Sequence, residues 1–330
     1  MGTPTAIDMH AHYYGGLVDD LARRTARPFV APDPAGRPVL HAMTASTVMS
    51  PGYTDLAARL AWMDACAIRT QLLTFPGALG VDAMPVAEVG DAIRAYNDHL
   101  GDVCAASGGR FVGLAGLPLA DMAQAAAEMR RVRRGGRLVG AILPGGFFSE
   151  TARAERLAPV FEAADAEGAL LMIHPGVAPD ETPPPPYPDN GVYRASALNL
   201  QASVAQMALT LMMADLPARY PGVTFQVVNL GGTLPFVLER LEAVAASRNP
   251  DDPFPVGRLR GFVTDCASLG PRALRLAVEV FGADRVMLGT DYPIFTVDQV
   301  RDTLDRAGLS PEDRAMVAAG TAASILRRLA

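Results

Sequence analysis

Eight short apolar runs, each closed by polar or turn-forming residues, constrain this chain more than any other feature. They are "TAIDM" (5–9), "TQLLTF" (70–75), "RFVGLAGL" (110–117), "LVGAIL" (138–143), "ALLMI" (169–173), "VTFQVV" (223–228), "GFVTD" (261–265) and "RVMLGT" (285–290). Runs of five to eight residues are too short for helices and read as strands buried on both faces. Between them lie Ala-rich amphipathic stretches such as 53–67, 122–134, 156–168 and 271–282, several ending in Gly just before the next run. Strand–helix alternation repeated eight times predicts parallel strands joined by helical crossovers. Eight units in 330 residues fit a (β/α)8 TIM barrel, an α/β fold, spanning 1–330 as a single domain.

Two segments exceed the minimal repeat. Residues 27–52 form a Pro/Gly/Ser/Thr-rich insert after the first strand, and 175–194 a proline-rich insert after the fifth. Both follow strand C-termini, the barrel end where active sites are built, and the prolines predict a loop of preset shape there. Composition narrows the function classes. Half the residues are hydrophobic and 19% charged, enough for a large core. A formal charge of -6 without a Lys/Arg track argues against nucleic acid. No uncharged apolar run is long enough to span a bilayer, and no basic-then-apolar leader opens the sequence. Cys66, Cys104 and Cys266 form no CxxC pair and read as reduced thiols, so a cytoplasmic protein is expected. No GxGxxG follows the first strand and no GxxxxGK[ST] occurs.

The chemistry-bearing residues sit at strand ends. His10 and His12, two apart, point the same way from strand one, about 7 Å apart along the backbone. His174 ends the most apolar run, and Asp291 follows the eighth. Only five histidines occur, and three of them fall at two matching strand ends. Three imidazoles and one carboxylate suit a divalent metal, zinc first and manganese, iron or cobalt as alternatives. Tyr187, Tyr292 and Phe295 lie on loops at the same face and are expected to line a pocket, whereas Trp62 reads as core and His99 as structural.

"IDMHAH" at the start, "HPG" after strand five and "LGTDYP" after strand eight resemble the amidohydrolase superfamily. More narrowly, the chain is similar to the branch of 2-amino-3-carboxymuconate 6-semialdehyde decarboxylase and related aromatic-acid decarboxylases. The likeness extends through "YNDHLGDVCAASGGRFVGLAGLPL" (96–119), "GGTLPFVLER" (231–240) and "GFVTDCASLGPRALRLAVEVFGADRVMLGTDYP" (261–293). The resemblance implies that His10, His12, His174 and Asp291 hold the metal and that Asp291 also shuttles a proton. It implies that Arg240 reaches the carboxylate of a substrate in a neighbouring subunit, hence a homodimer. Two positions depart from the pattern. Asn229 stands in "VVNLGG" where the family carries a histidine, and asparagine cannot take a proton near neutral pH. A second carboxylate-binding arginine is missing from the insert after strand one, where His41 is the nearest substitute.

Three functions follow as expectations. The first is a metal-dependent decarboxylase of a small aromatic or unsaturated carboxylic acid, with Asp291 protonating the carbon and Asn229 as a hydrogen-bonding group. The second is a metal-dependent hydrolase of an amide, ester, lactone or activated C–C bond, with Asp291 as base and Asn229 at the oxyanion. The third is a partner subunit that keeps the metal and has lost turnover, a reading that rests on Asn229.

Overall fold

The computed structural model describes residues 5–43, 46–182, 187–295 and 297–330. Each of the eight apolar runs forms a strand. They are β1 (Ala6–His12), β5 (Ile68–Thr74), β6 (Phe111–Ala115), β7 (Gly140–Pro144), β8 (Ala169–His174), β9 (Val223–Val227), β10 (Phe262–Asp265) and β11 (Val286–Met287). The eight are hydrogen-bonded in chain order, and all pairs are parallel. The ring closes between its last and first members. The Met9 N–H donates to the Leu288 carbonyl at 2.8 Å, the Asp291 N–H to the His10 carbonyl at 2.8 Å, and Ala11 and Tyr292 form a parallel bridge. The architecture is a (β/α)8 barrel.

A helix follows each barrel strand: α1 (Leu56–Ala65), α2 (Val86–Ala106), α3 (Met122–Arg134), α4 (Ala158–Glu167), α5 (Leu200–Met213), α6 (Leu234–Arg248), α7 (Pro271–Phe281) and α8 (Val297–Arg306). Local chemistry sets their starts. The Asp55 and Asp121 carboxylates accept from the first free amides of α1 and α3, the usual way to satisfy a helix N-terminus. No helix among the described residues is long and apolar enough to cross a membrane.

Burial explains the unbroken apolar character of β8. Leu170, Leu171, Met172 and Ile173 are all fully buried, because helices cover one face of the strand and the barrel interior the other. Each such side chain contributes roughly 1.5–3 kcal/mol by leaving water. Strands β7 and β8 approach so closely at Gly140 that a Cβ there would lie 1.8 Å from the Leu170 carbonyl oxygen. Pairing Pro144 with His174 then sets the height at which the histidine leaves the sheet.

The insert after β1 is more ordered than its composition predicts. It forms a three-stranded antiparallel flap of β2 (Phe29–Pro32), β3 (Pro38–His41) and β4 (Ser46–Val48). Its first hairpin turns on "PDPAGR", where Asp33 accepts from the amides of Ala35 and Arg37 and Gly36 takes φ 78°. That is hairpin chemistry, and the compositional reading passed over it. The insert after β8 ends earlier than expected. Helix resumes at Gly191 and runs through a wide turn, Arg194–Asn199, into α5. Prolines 183–186, expected to form a preset wall, lie outside the described residues.

One loop at the C-terminal end of the barrel carries an unusual burden. Asp82, between β5 and α2, is completely buried, and among the described residues neither carboxylate oxygen has a well-aligned hydrogen-bond partner, its own amide and that of Ala83 offsetting burial only in part. Burial pushes its carboxyl from 3.8 up to about 8. The folded state therefore prefers the neutral acid while the unfolded chain ionises, so Asp82 weakens the fold progressively as pH rises from about 4 to about 8. Asp82→Asn should gain thermal stability over the parent at pH 8 and much less at pH 5. A melting-temperature difference that stays constant across this range would contradict the assignment.

Candidate metal centre

Three imidazoles meet above the barrel floor. His10 and His12 project from the end of β1 and His174 from the end of β8, and the three are buried. One nitrogen from each lies within 4.8 Å of the other two. The rings stand nearly perpendicular to one another, with centroids 5.0–5.2 Å apart. Asp291 completes the group, with Oδ1 2.9 Å from His12 Nε2 and 3.7 Å from His10 Nε2. Atoms about 2 Å from a shared ion stand about 3–3.5 Å apart, so this spacing suits a four-ligand site.

The hydrogen bonds behind the rings decide which nitrogen faces inward. His174 Nδ1 lies 2.9 Å from the Pro175 carbonyl, which can only accept, so Nδ1 carries the proton and Nε2 keeps its lone pair. His10 Nδ1 meets the Asp265 carboxylate at 3.0 Å with the same result, and His12 Nδ1 meets the Thr74 hydroxyl at 3.0 Å. Two inward atoms, His10 Nε2 and Asp291 Oδ1, are buried with no aligned hydrogen-bond partner among the described residues. Orphaned buried donors and acceptors of this kind are what a metal ion satisfies. The donor set of three nitrogens and one carboxylate therefore fits a divalent cation.

Electrostatics at the site follow from burial and charge. Burial holds His174 well below its ordinary value, reinforced by its neighbours His12 and His10. Burial lowers His12 as well, against the opposing pull of Asp291. In His10 burial also opposes the cation, but Asp265 and Asp291 outweigh it and raise the ring to about 9. Burial would raise Asp291, yet His12, His10 and His174 around its carboxylate keep it ionised, below its ordinary value.

Beneath the ligands runs a buried polar layer that the sequence reading missed. Asp265 accepts from His10, from Gln226 Nε2 at 2.8 Å and from the Ala267 amide at 3.1 Å. Asp8 accepts from Gln71 Nε2, the Thr290 hydroxyl and the Thr290 and His10 amides. Arg59, wholly buried, donates to Gln71 and to the carbonyls of His12 and Gly52, with its guanidinium 4.7 Å from the Tyr292 ring. Burial pulls Arg59 down to about 10, which leaves it charged at neutral pH. The available signal was a lone polar residue inside an apolar run: Asp8 in "AIDM", Gln71 in "TQLL", Gln226 in "TFQV", Asp265 in "FVTD".

The remaining expected residues are scattered. Asn229 is buried at the end of β9, beside β8, in a left-handed turn with Leu230 (φ 54° and 55°). Its Oδ1 has no partner among the described residues, and its backbone N–H donates to Asp265 Oδ1 at 3.4 Å. Tyr292 does not line the mouth. It bridges Ala11, whose side chain points opposite to His10 and His12, and its ring packs outward on Trp62 with centroids 4.0 Å apart. Trp62 is accordingly only half-buried, not deep core. His41 belongs to the flap, stacked on Phe29 at 4.3 Å and 3.0 Å from Ser46 Oγ, so its ring is already engaged there. Tyr187 is 40% exposed and bonded to Asn199. Phe295 is half-buried in the turn after β11. Arg240 is exposed on α6, with no ion pair among the described residues. His99 stacks on Tyr13 and bonds its hydroxyl at 3.0 Å, the expected structural role. A cavity of about 630 Å³ opens at the opposite end of the barrel, among Ile7, Arg69, Arg133 and Arg327, but no histidine or carboxylate side chain lines it.

The amidohydrolase family model matches residues 7–328. The chain belongs to the amidohydrolase family. This amidohydrolase-family chain is 27% identical over 294 residues to gamma-resorcylate decarboxylase of Rhodococcus jostii (strain RHA1), covering 82% of this chain and 86% of the relative. It is 26% identical over 230 residues to 2-amino-3-carboxymuconate-6-semialdehyde decarboxylase of Dictyostelium discoideum, covering 67% and 62%. Among solved structures it superposes on 5-carboxyvanillate decarboxylase from Sphingomonas paucimobilis with TM-score 0.76, 25% identity and coverage of 98% and 99%. It also superposes on a dihydroxybenzoic acid decarboxylase from Polaromonas sp. JS666 with bound manganese and the inhibitor 2-nitroresorcinol, at TM-score 0.76, 22% identity and coverage of 98% and 97%.

Asp265→Asn removes the charged acceptor behind His10 while keeping its shape. Loss of such a partner typically weakens metal binding 10- to 100-fold. Titration of the metal-free protein with Zn2+ or Mn2+ should give a drop of about that size, and unchanged affinity would rule out the orienting role.

Proposed function

We propose that the chain is a metal-dependent decarboxylase of a small aromatic carboxylic acid. The observation that carries this reading is the convergence of His10, His12, His174 and Asp291 at the C-terminal mouth of the barrel. The decarboxylase relatives supply the reaction class. Bound there, a divalent ion supplies a Lewis-acid anchor for the substrate's carboxylate and an adjacent oxygen.

The chain's own residues do the rest. Asp291 is 13% exposed, against 1–3% for His10 and His12, so among these three it is the side chain that can exchange a proton with a bound molecule. Ionised in the free site, Asp291 takes up a proton from solvent and passes it to the ring carbon as the bond to the carboxylate breaks and carbon dioxide leaves. Asn229 takes no proton; it offers a hydrogen-bonding amide at the mouth. The polar layer under the site keeps the three rings in register, so little reorganisation is needed at the reacting carbon.

Zinc is the ion this reading starts from, on the chemistry of three nitrogens and one carboxylate. Manganese is its competitor, because the Polaromonas neighbour holds it. Three free cysteines, two of them buried, suit a reducing cytoplasm. The panel that tests the reading contains ortho-hydroxybenzoic acids, unsaturated carboxylic acids, and esters and lactones. Release of carbon dioxide from an acid, lost by at least 100-fold in His174→Ala and Asp291→Asn, is the expected outcome. Ester or lactone hydrolysis without carbon dioxide release would replace it with the hydrolase reading.

The reading includes a homodimer. Val192, Tyr193 and Leu198, on the helix leading into α5, are 74%, 71% and 69% exposed, and Phe236 on α6 is 81% exposed. The two helices are neighbours, since the Thr233 amide donates to the Gln201 carbonyl at 3.2 Å. An apolar patch of this kind marks an interface. Arg240 lies one turn from Phe236 on the same helix face and is the guanidinium such an interface would carry toward the partner's substrate. Light scattering should find a dimer that Phe236→Asp dissociates, and Arg240→Ala should raise KM with the dimer intact. A monomeric parent protein would end this part of the reading.

A further inference from the structure

The cavity at the opposite end of the barrel takes no part in the metal centre. At about 630 Å³ it falls within the size range of small-molecule sites, roughly 300–1,000 Å³. It opens where the strands begin, between the starts of β1, β5, β6 and β7 and the closing helix α9 (Thr321–Leu329). Ile7 lines it three residues before His10 on β1, which puts about 10 Å of strand between the cavity and the nearest ligand. The lower face of such a barrel serves stability and not chemistry, so the decarboxylase reading gives this chamber no purpose.

Its walls are apolar and its charges are all of one sign. Ile7, Phe111 and Leu326 belong to the walls. Arg69, Arg133, Arg137 and Arg327 bring four guanidinium groups to the same lining, and no carboxylate side chain joins them there. In a chain with 35 acidic residues against 29 basic ones, that local balance is the reverse of the whole. Arg137 is already paired, with Asp102. Arg133 is half-buried and uses three of its five N–H groups on the carbonyls of Leu138, Gly168 and Leu329, at 2.7–2.9 Å. Carbonyls fix its position without neutralising its charge, and its anionic neighbour Glu167 is hydrogen-bonded to Arg134. Arg69 and Arg327 make no ion pair among the described residues. Two guanidinium groups without an anion and a third held only by neutral acceptors therefore share one apolar chamber.

We infer that this cavity binds a small organic carboxylate with an apolar body, its head taken by Arg69, Arg327 and the free N–H groups of Arg133. A guanidinium meets a carboxylate through two parallel N–H···O bonds, and the anion neutralises charge that nothing else in the lining neutralises. A bare inorganic anion would leave Ile7, Phe111 and Leu326 facing water. A neutral hydrocarbon would cover the walls and strip water from the arginines without replacing it. The site needs no metal ion and is independent of the decarboxylase reading.

Octanoate is the probe, with acetate and 1-octanol as controls for its two halves. Calorimetry on the metal-loaded protein should show octanoate binding at least 10-fold tighter than either control. Arg69→Glu and Arg327→Glu change exposed side chains, so both variants are expected to keep the parent's melting temperature. Each should weaken octanoate at least 10-fold and leave 1-octanol nearly unchanged. His174→Ala, which removes a ligand of the metal centre, should bind octanoate as the parent does. Binding that disappears in His174→Ala belongs to the metal centre and overturns the inference. Equal affinities for octanoate and 1-octanol, unchanged octanoate binding in both glutamate variants, or a parent that binds no octanoate overturns it as well.

Discussion

Three histidine rings in a water-poor pocket must all present a lone pair to the same point, and the rest of the site follows from that requirement. Burial alone makes an imidazole neutral but leaves open which nitrogen carries the hydrogen. The group behind each ring bears on it: a carbonyl and a carboxylate can only accept, which settles His174 and His10, and a hydroxyl that can accept stands behind His12. The Pro175 carbonyl, the Asp265 carboxylate and the Thr74 hydroxyl come from three different strands or strand ends. The ligand set therefore depends on the barrel having closed, because β1 alone holds two rings and none of their acceptors.

Charge balance beneath the ligands is as constrained as their geometry. Asp8 and Asp265 are buried carboxylates, and Arg59 is a buried cation. Isolated, each would be a liability. Here they join amides, hydroxyls and carbonyls so that few oxygens are unmatched. Arg59 reaches Asp8 only through Gln71, so the cation and the anion share a neutral mediator and do not form a direct pair. Among the described residues, partnerless buried atoms remain in both layers: Gln226 Oε1 and Arg59 Nε below, and His10 Nε2, Asp291 Oδ1 and Asn229 Oδ1 at the metal centre.

Much of this was legible in the sequence because parallel barrel strands are buried on both faces, so each leaves an apolar run that ends at the mouth. His174 and Asp291 stood out for that reason, as did the pair His10 and His12. The layer below was harder to see. Asp8 and Asp265 lie inside or at the close of apolar runs, and nothing local distinguishes a polar residue matched across the barrel from one facing solvent. Their partners, Thr290 and Gln226, are 282 and 39 residues away. Tyr292 is expected at the mouth from its place beside Asp291, but it pairs with Ala11, whose side chain points away from His10 and His12, and its ring packs on Trp62. The flap escaped notice because its strands are three and four residues long and half-exposed, too short for alternation to register.

The flap's attachment has a consequence for how such a chain can change over generations. At its far end the insert is tied to the barrel by Arg59 on the Gly52 carbonyl and by the Tyr14 amide on the Tyr53 carbonyl, and Tyr14 and Tyr53 also pack ring to ring, 4.8 Å apart. Between those ties and β1, the three short strands pair with one another, and Leu40 is their one fully buried side chain among the described residues. Insertions, deletions or reshaped turns in the flap can therefore accumulate without displacing a single ligand. An ancestral scaffold of this design can explore new substrates by drift in one peripheral module, while selection guards the ion-binding centre separately.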